Sequence, residues 1–151
     1  MAVRGRPADF RDHARFLVEI DAMTYAGFQR CTDIRGTFAK KEYHDGASPL
    51  PFKKAGKEEF SDVTLSRGKS PNNELEQWYR QVQASVRGLG APPDAYKRNV
   101  NVVEIDEMGS RVSVTTLYNA FPTEFKKGDF DAADREGFVI EEMVLAYDEF
   151  D

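Results

Sequence analysis

Few residues in this 151-residue chain are of the kinds that do covalent or metal chemistry. Cys31 is the single thiol, and His13 and His44 are the only histidines that could serve it as a base. No nucleophile signature surrounds Cys31, and no spacing brings either histidine to it, so a small semi-buried thiol is expected. One Cys cannot build a Cys-based zinc site, and two His make a His-rich one a poor expectation. Arg67-Gly-Lys-Ser70 has the ending of a phosphate-binding loop, but the first glycine of that motif would fall at position 63, which is Val. Asp129-Phe-Asp-Ala-Ala-Asp134 opens like a calcium loop, yet its sixth and twelfth positions hold Asp134 and Ile140 instead of Gly and Glu. Glu141 and Glu142 are neighbours on a predicted strand and point to opposite faces, so they are no catalytic pair. Either could be a buried carboxylate paired with an Arg. No catalytic, cofactor or metal-binding set emerges.

What remains is charge. Lys53, Lys54 and Lys57 sit in a stretch at 44–59 with two Gly, two Pro and no period after Asp45, which predicts a long loop. No helix start or glycine cradle accompanies these lysines, so they do not predict a phosphate site. The whole chain has 21 Lys+Arg against 26 Asp+Glu, a net charge of −5. That balance gives no basic surface for nucleic acid. The charge is uneven: residues 1–70 hold 13 Lys/Arg and 10 Asp/Glu, a net of +3, and residues 71–151 hold 8 and 16, a net of −8. Such a split suits a molecule with unlike faces that meets its own copies head to tail.

The elements that must position these residues are mostly strands. Residues 15–21 alternate, with Phe16, Val18 and Ile20 on one side. A turn from Thr24 to Phe28 leads to a second short strand, and 37–43 is a weaker strand. Residues 60–67 form another, broken by Gly68. One helix is clear. Asn73 and Glu76 make a capping-box pattern, and Leu75, Trp78, Tyr79, Val82 and Val86 follow as one apolar stripe. Leu75, Trp78, Tyr79 and Val82 are therefore core anchors. Gly88, Gly90 and Pro92-Pro93 end the helix. Residues 99–106 and 111–119 form a hairpin around Asp106-Glu-Met-Gly109. A short segment runs from Ala120 to about Lys126, an acidic loop spans 128–137, and a last strand runs from Phe138 to Tyr147. That strand is apolar on both faces and needs cover on both. Seven or eight strands and one helix give a mainly β fold, a β-barrel or two-sheet antiparallel sandwich with the α-helix packed on it.

A chain of this length, 40% apolar, forms about one domain, here 1–151. No apolar segment follows the N-terminal arginines, so a chain made in the cytoplasm without a signal peptide is expected. No run approaches the roughly 20 apolar residues of a membrane span, so no membrane insertion is expected.

The ordered pieces are similar to the inner-tube proteins of contractile phage tails and contractile injection systems. They are Arg15-Phe-Leu-Val-Glu-Ile-Asp21, Ala26-Gly-Phe28, Tyr43-His-Asp-Gly46, Pro51-Phe-Lys-Lys-Ala-Gly56, Phe60-Ser-Asp-Val-Thr-Leu-Ser-Arg-Gly68 with Leu75 and Trp78, Arg98-Asn-Val-Asn-Val102, Asn119-Ala-Phe-Pro122, Phe130-Asp-Ala132 and Ile140-Glu-Glu-Met-Val-Leu-Ala146. Two departures concern subgroup: Cys31-Thr-Asp-Ile34 stands where a Ser-Gly-Leu-like segment is usual, and Leu117-Tyr118 where Trp is common.

The resemblance implies a single tail-tube domain without an active site or cofactor, assembled as a homo-hexameric ring. Such rings stack into a hollow tube inside a sheath, above baseplate and spike proteins, and conduct protein or DNA cargo. On that basis Lys53, Lys54 and Lys57 are expected to meet acidic partners such as Asp129 and Asp131 in the next ring. Two other readings share the fold: a specialised ring joining tube to spike, and a ring-shaped cargo carrier of the type VI secretion kind.

Overall fold

A computed structural model describes residues 15–21, 27–69, 71, 73–88, 95–106, 108–128, 130–133 and 137–151. The predicted turn at 24–28 lies mostly outside them, as do His13 and Asp129. Nine strands and one helix are present among the described residues: β1 (Arg15–Ile20), β2 (Arg30–Cys31), β3 (Gly36–Tyr43), β4 (Phe52–Phe60), β5 (Val63–Gly68), α1 (Glu74–Val86), β6 (Arg98–Ile105), β7 (Arg111–Lys126), β8 (Ile140–Ala146) and β9 (Glu149–Phe150). Seven strands form one antiparallel sheet in the order β1-β6-β7-β8-β5-β2, with β9 beside β7. The strands β3 and β4 form a separate hairpin.

The sheet folds on itself because β7 serves two halves. Its first part pairs with β6 and β9, and its second with β8. Between them Asn119 has φ +55, and the register shifts between Pro122 and Glu124. Pro122 cannot donate to a ladder, so a bulge is where a strand tolerates it, and a bulge bends the strand. The predicted separate segment at 120–126 is thus a continuation of one 16-residue strand. The bend lets one half (Val18, Ile20, Val100, Leu117) face the other (Val63, Leu65, Met143, Leu145) in one buried cluster. This is the sandwich layout in which one strand passes between sheets at a corner.

The helix closes the core. Leu75 and Trp78 are fully buried, and Trp78 Nε1 donates to the Tyr96 carbonyl at 2.6 Å. Tyr79 and Val82 are half-buried, with the Tyr79 ring 6.0 Å from Phe125. Val86, expected on the same stripe, is exposed at the helix end. The capping box does not form: Asn73 caps no backbone N–H with its side chain, and Glu76 turns instead to Arg80 and Lys127, both at 2.9 Å. Gly88, at φ +70, ends the helix where predicted.

The long loop expected at 44–59 is corrected. Residues 52–60 are strand β4, paired with β3 from Tyr43↔Phe52 to Gly36↔Phe60, and only 44–51 form the connection. Accordingly β5 begins at Val63, with Phe60 on β4. The apolar period that marks a strand arises when one face is buried. Almost every residue of this hairpin is exposed, so no such period exists. Its base is held by Phe60, whose ring lies 5.8 Å from Tyr147 and 5.5 Å from Phe150. The last strand also starts later than predicted. Phe138 precedes it and is 89% exposed.

Candidate assembly surface

The hairpin carries a concentrated positive charge. Lys40, Lys41, Lys53 and Lys54 occupy its outer part with Glu42, while Lys57, Glu58 and Glu59 stand nearer the base. Lys40 and Glu42 are 3.9 Å apart. Lys41 is directly opposite Lys54, a like-charge pairing that weakens an isolated strand pair. The end of the hairpin is apolar: Tyr43 faces Phe52 across the strands, and Leu50 lies in the connection. All three are largely exposed. The connection is ordered by its own polar groups. Asp45 Oδ1 accepts from the Ala47 N–H at 3.0 Å, and the Asp45 carbonyl accepts from the Ser48 N–H at 3.0 Å.

A second surface is built where β7 ends and β8 begins. An open cleft of about 500 Å³ is lined by Lys126, Lys127, Gly128, Phe138, Ile140 and Glu142. Its backbone is fixed on two sides. The Lys69 N–H donates to the Val139 carbonyl at 2.8 Å. Gly128, at φ +121, lies so close to Val139 that any Cβ there would overlap it, which only glycine avoids. The Lys126 ammonium is 3.6 Å from Glu142, and Lys127 is 2.9 Å from Glu76. Hydrogen bonds from Lys127 and then Arg80 hold the Glu76 carboxyl below its ordinary range. Nearby, Lys69 sits 5.0 Å over the exposed Phe130 ring. The Asp131 carboxylate is exposed and accepts from Ala133 N–H at 2.9 Å.

These surfaces lie at opposite ends of one strand pair. The hairpin runs into the start of β5, where Val63 pairs with Leu145, and the cleft lies at the other end, where Gly68 pairs with Ile140. Six residues of strand put about 17–20 Å between them. Within one chain, then, Lys53, Lys54 and Lys57 are not brought to Asp131.

Between the two ends, Arg67 and Glu141 form a buried ion pair on the core faces of β5 and β8, with Arg67 Nε donating to Glu141 Oε1. The Arg67 guanidinium also lies 5.7 Å from the centre of the Phe28 ring. The buried carboxylate anticipated at 141 or 142 is thus Glu141, and its Arg comes from the same chain. Cys31 faces Leu65 at the sheet margin, where burial pushes its thiol up to about 11. His44 is at the far end of the hairpin, about 25 Å of strand away, so the two are not brought together. Among the described residues no group of acidic, His and Cys side chains could hold a metal, and no helix is long and apolar enough to cross a membrane. The outer strands β1 and β2 each have one neighbour within the sheet among the described residues.

The charged half of this surface was readable from residue type; the apolar half, Leu50 and Phe138, was missed. The signal available was an apolar residue bracketed by Pro49 and Pro51, and an aromatic beside an acidic loop.

Comparison with known proteins gives a consistent picture. The family model for the T4-like virus tail tube protein gp19 matches residues 12–151. No curated protein sequence matches the chain. Among solved structures, a chain in the cryo-EM structure of an extracellular contractile injection system, the PVC sheath/tube terminator in the extended state, is 22% identical with a TM-score of 0.81, covering 97% of this chain and 98% of that one. A chain of the PVC sheath–tube complex in the extended state is 24% identical, with a TM-score of 0.76 and coverage of 93% and 88%. Hcp1 from Flavobacterium johnsoniae is 10% identical, with a TM-score of 0.53 and coverage of 91% and 93%. These likenesses extend to the fold.

Proposed function

The chain belongs to the T4-like virus tail tube protein gp19 family, and on that premise we propose that it builds the inner tube of a contractile phage tail or contractile injection system. Six copies close into a ring, and rings stack head to tail into a hollow tube. A sheath surrounds the tube, a baseplate and spike sit at its end, and protein or DNA cargo passes through the lumen when the tube is driven into a target envelope. The role is mechanical, as in a family of structural tube proteins.

One observation carries this reading: a projecting hairpin and a preformed cleft occupy opposite ends of the same strand pair. Unlike surfaces at opposite ends produce a heterologous contact, which continues along an axis instead of closing on itself. Edge strands add the lateral contact. Pairing β1 of one copy with the β2 side of the next would extend the ladder around the ring and remove both exposed edges. Lys53, Lys54 and Lys57 would approach Asp129 and Asp131 of the adjoining ring. Exposed pairs contribute only about 0–1 kcal/mol each, so repetition around and along the tube is what gives them weight.

Electron microscopy of a variant in which residues 44–51 are replaced by Asn-Gly tests the stacking. A folded protein that makes rings without long tubes is expected; tubes of ordinary length would overturn the role of the hairpin. A second reading draws on the likeness to the sheath/tube terminator chain: a specialised ring at an end of the tube. That ring would cap preformed tubes and fail to elongate by itself.

A further inference from the structure

We propose that ring-to-ring register is set by an apolar lock: Tyr43, Leu50 and Phe52 at the hairpin end of one copy seat against Phe138 and Ile140 in the cleft of the copy in the next ring. This rests on the stacked-ring reading and names the surfaces that hold it.

Both halves are exposed where a monomer has no use for them. Leu50 is 73% exposed and Phe138 is 89% exposed. Tyr43 and Phe52 form a directly opposed cross-strand pair on a hairpin almost all of whose residues are exposed. Both halves are also preorganised. The Asp45 and Ser48 hydrogen bonds shape the connection, and Leu50 stands between two prolines of restricted backbone. The cleft backbone is held by the Lys69–Val139 bond and the close approach at Gly128. Ordering losses on association are correspondingly small. A volume of about 500 Å³ falls in the range of sites that take several apolar groups.

The charges fit the same occupant. Lys126 and Lys127 at the cleft would meet Asp45 of the entering hairpin end. The lysine-rich stem behind that end would come beside Glu124, Asp131 and Glu142 on the receiving copy. This arrangement answers the Lys41–Lys54 opposition with acidic partners. It assigns steering to the charges and hold to the desolvated apolar anchors, the usual division at interfaces. The distance between the two surfaces in one chain excludes self-docking, so the occupant is a second copy.

The test uses the full chain with Cys31→Ser, carrying Ala47→Cys in the connection and Lys127→Cys at the cleft, so that the apolar anchors stay in place. Oxidation of assembled tubes should give a ladder of dimers, trimers and longer species, while either single cysteine gives dimers at most. Alongside it, Phe138→Ser should keep the wild-type melting temperature and stop at rings. Lys53→Gln, Lys54→Gln and Lys57→Gln together should slow assembly yet leave tubes that persist in molar salt. Long Phe138→Ser tubes, or intact double-cysteine tubes without a ladder, overturn the lock and leave the tube reading standing. Wild-type protein that makes neither rings nor tubes overturns both.

Discussion

The β3–β4 hairpin and the β5–β8 pair put charge to opposite uses. On β5 and β8, Arg67 and Glu141 are sealed in the core, each answered within the chain. On the hairpin, five lysines stand in water with Glu42, Glu58 and Glu59, and Lys41 and Lys54 oppose each other. A buried ion pair must be satisfied where it is, because an uncompensated charge there is severely penalised. An exposed, mismatched set imposes no such demand on the monomer. Under the proposed stacking, its pattern answers to acidic groups of the adjoining ring. The two regions are therefore separable: one maintains the fold, and the other is available for assembly.

Three substitutions or conditions sharpen that separation, in falling order of effect. Glu141→Ala removes the carboxylate that accepts from Arg67 Nε in the core and should lower unfolding free energy by about 3–5 kcal/mol, read by urea denaturation. A loss below about 1 kcal/mol would show the pair to be incidental. The second concerns Cys31, whose thiol is raised from near 9 to about 11 by burial. The folded state thus retains a proton that the unfolded state releases above pH 9, so stability is full below pH 9 and declines as pH rises toward 11. Cys31→Ser should flatten that decline in thermal melts, and an unchanged profile would count against a buried thiol. The third is Lys54→Glu, which turns the Lys41 opposition into an attractive pair. Folding stability should move by no more than about 0.5 kcal/mol, while tube yield at low salt changes. A large stability loss would mean that the hairpin is part of the fold's support.

The same contrast explains what was legible in the sequence. Val63 and Leu65 alternate with Thr64 and Ser66 in a strand legible from sequence, whereas β8 was legible from a run apolar on both faces, of which only the side of Glu141, Met143 and Leu145 is fully buried. Leu75 and Trp78, on its buried face, announced the helix. Phe-Lys-Lys-Ala-Gly-Lys-Glu-Glu-Phe at 52–60 has no period because neither face meets a core, so a nine-residue strand was predicted as loop. The Asn73–Glu76 cap failed through competition, since Arg80 and Lys127 offer Glu76 two cations. The lysines of the candidate surface were visible by type. The cleft was not, because it depends on Gly128 and Lys69 drawing distant segments together, and Phe138 was expected inside the strand it precedes. The +3 and −8 halves of the chain do not map onto two ends in space, since β5 and β8 interleave them.

Cryo-electron microscopy of the purified chain at rising concentration tests the central claim most directly. Rings with a central hole that stack into tubes, with the hairpin of each copy reaching the β7–β8 end of the copy beyond it, are the predicted result. Monodisperse monomers at high concentration, or rings stacked through like faces, would contradict it.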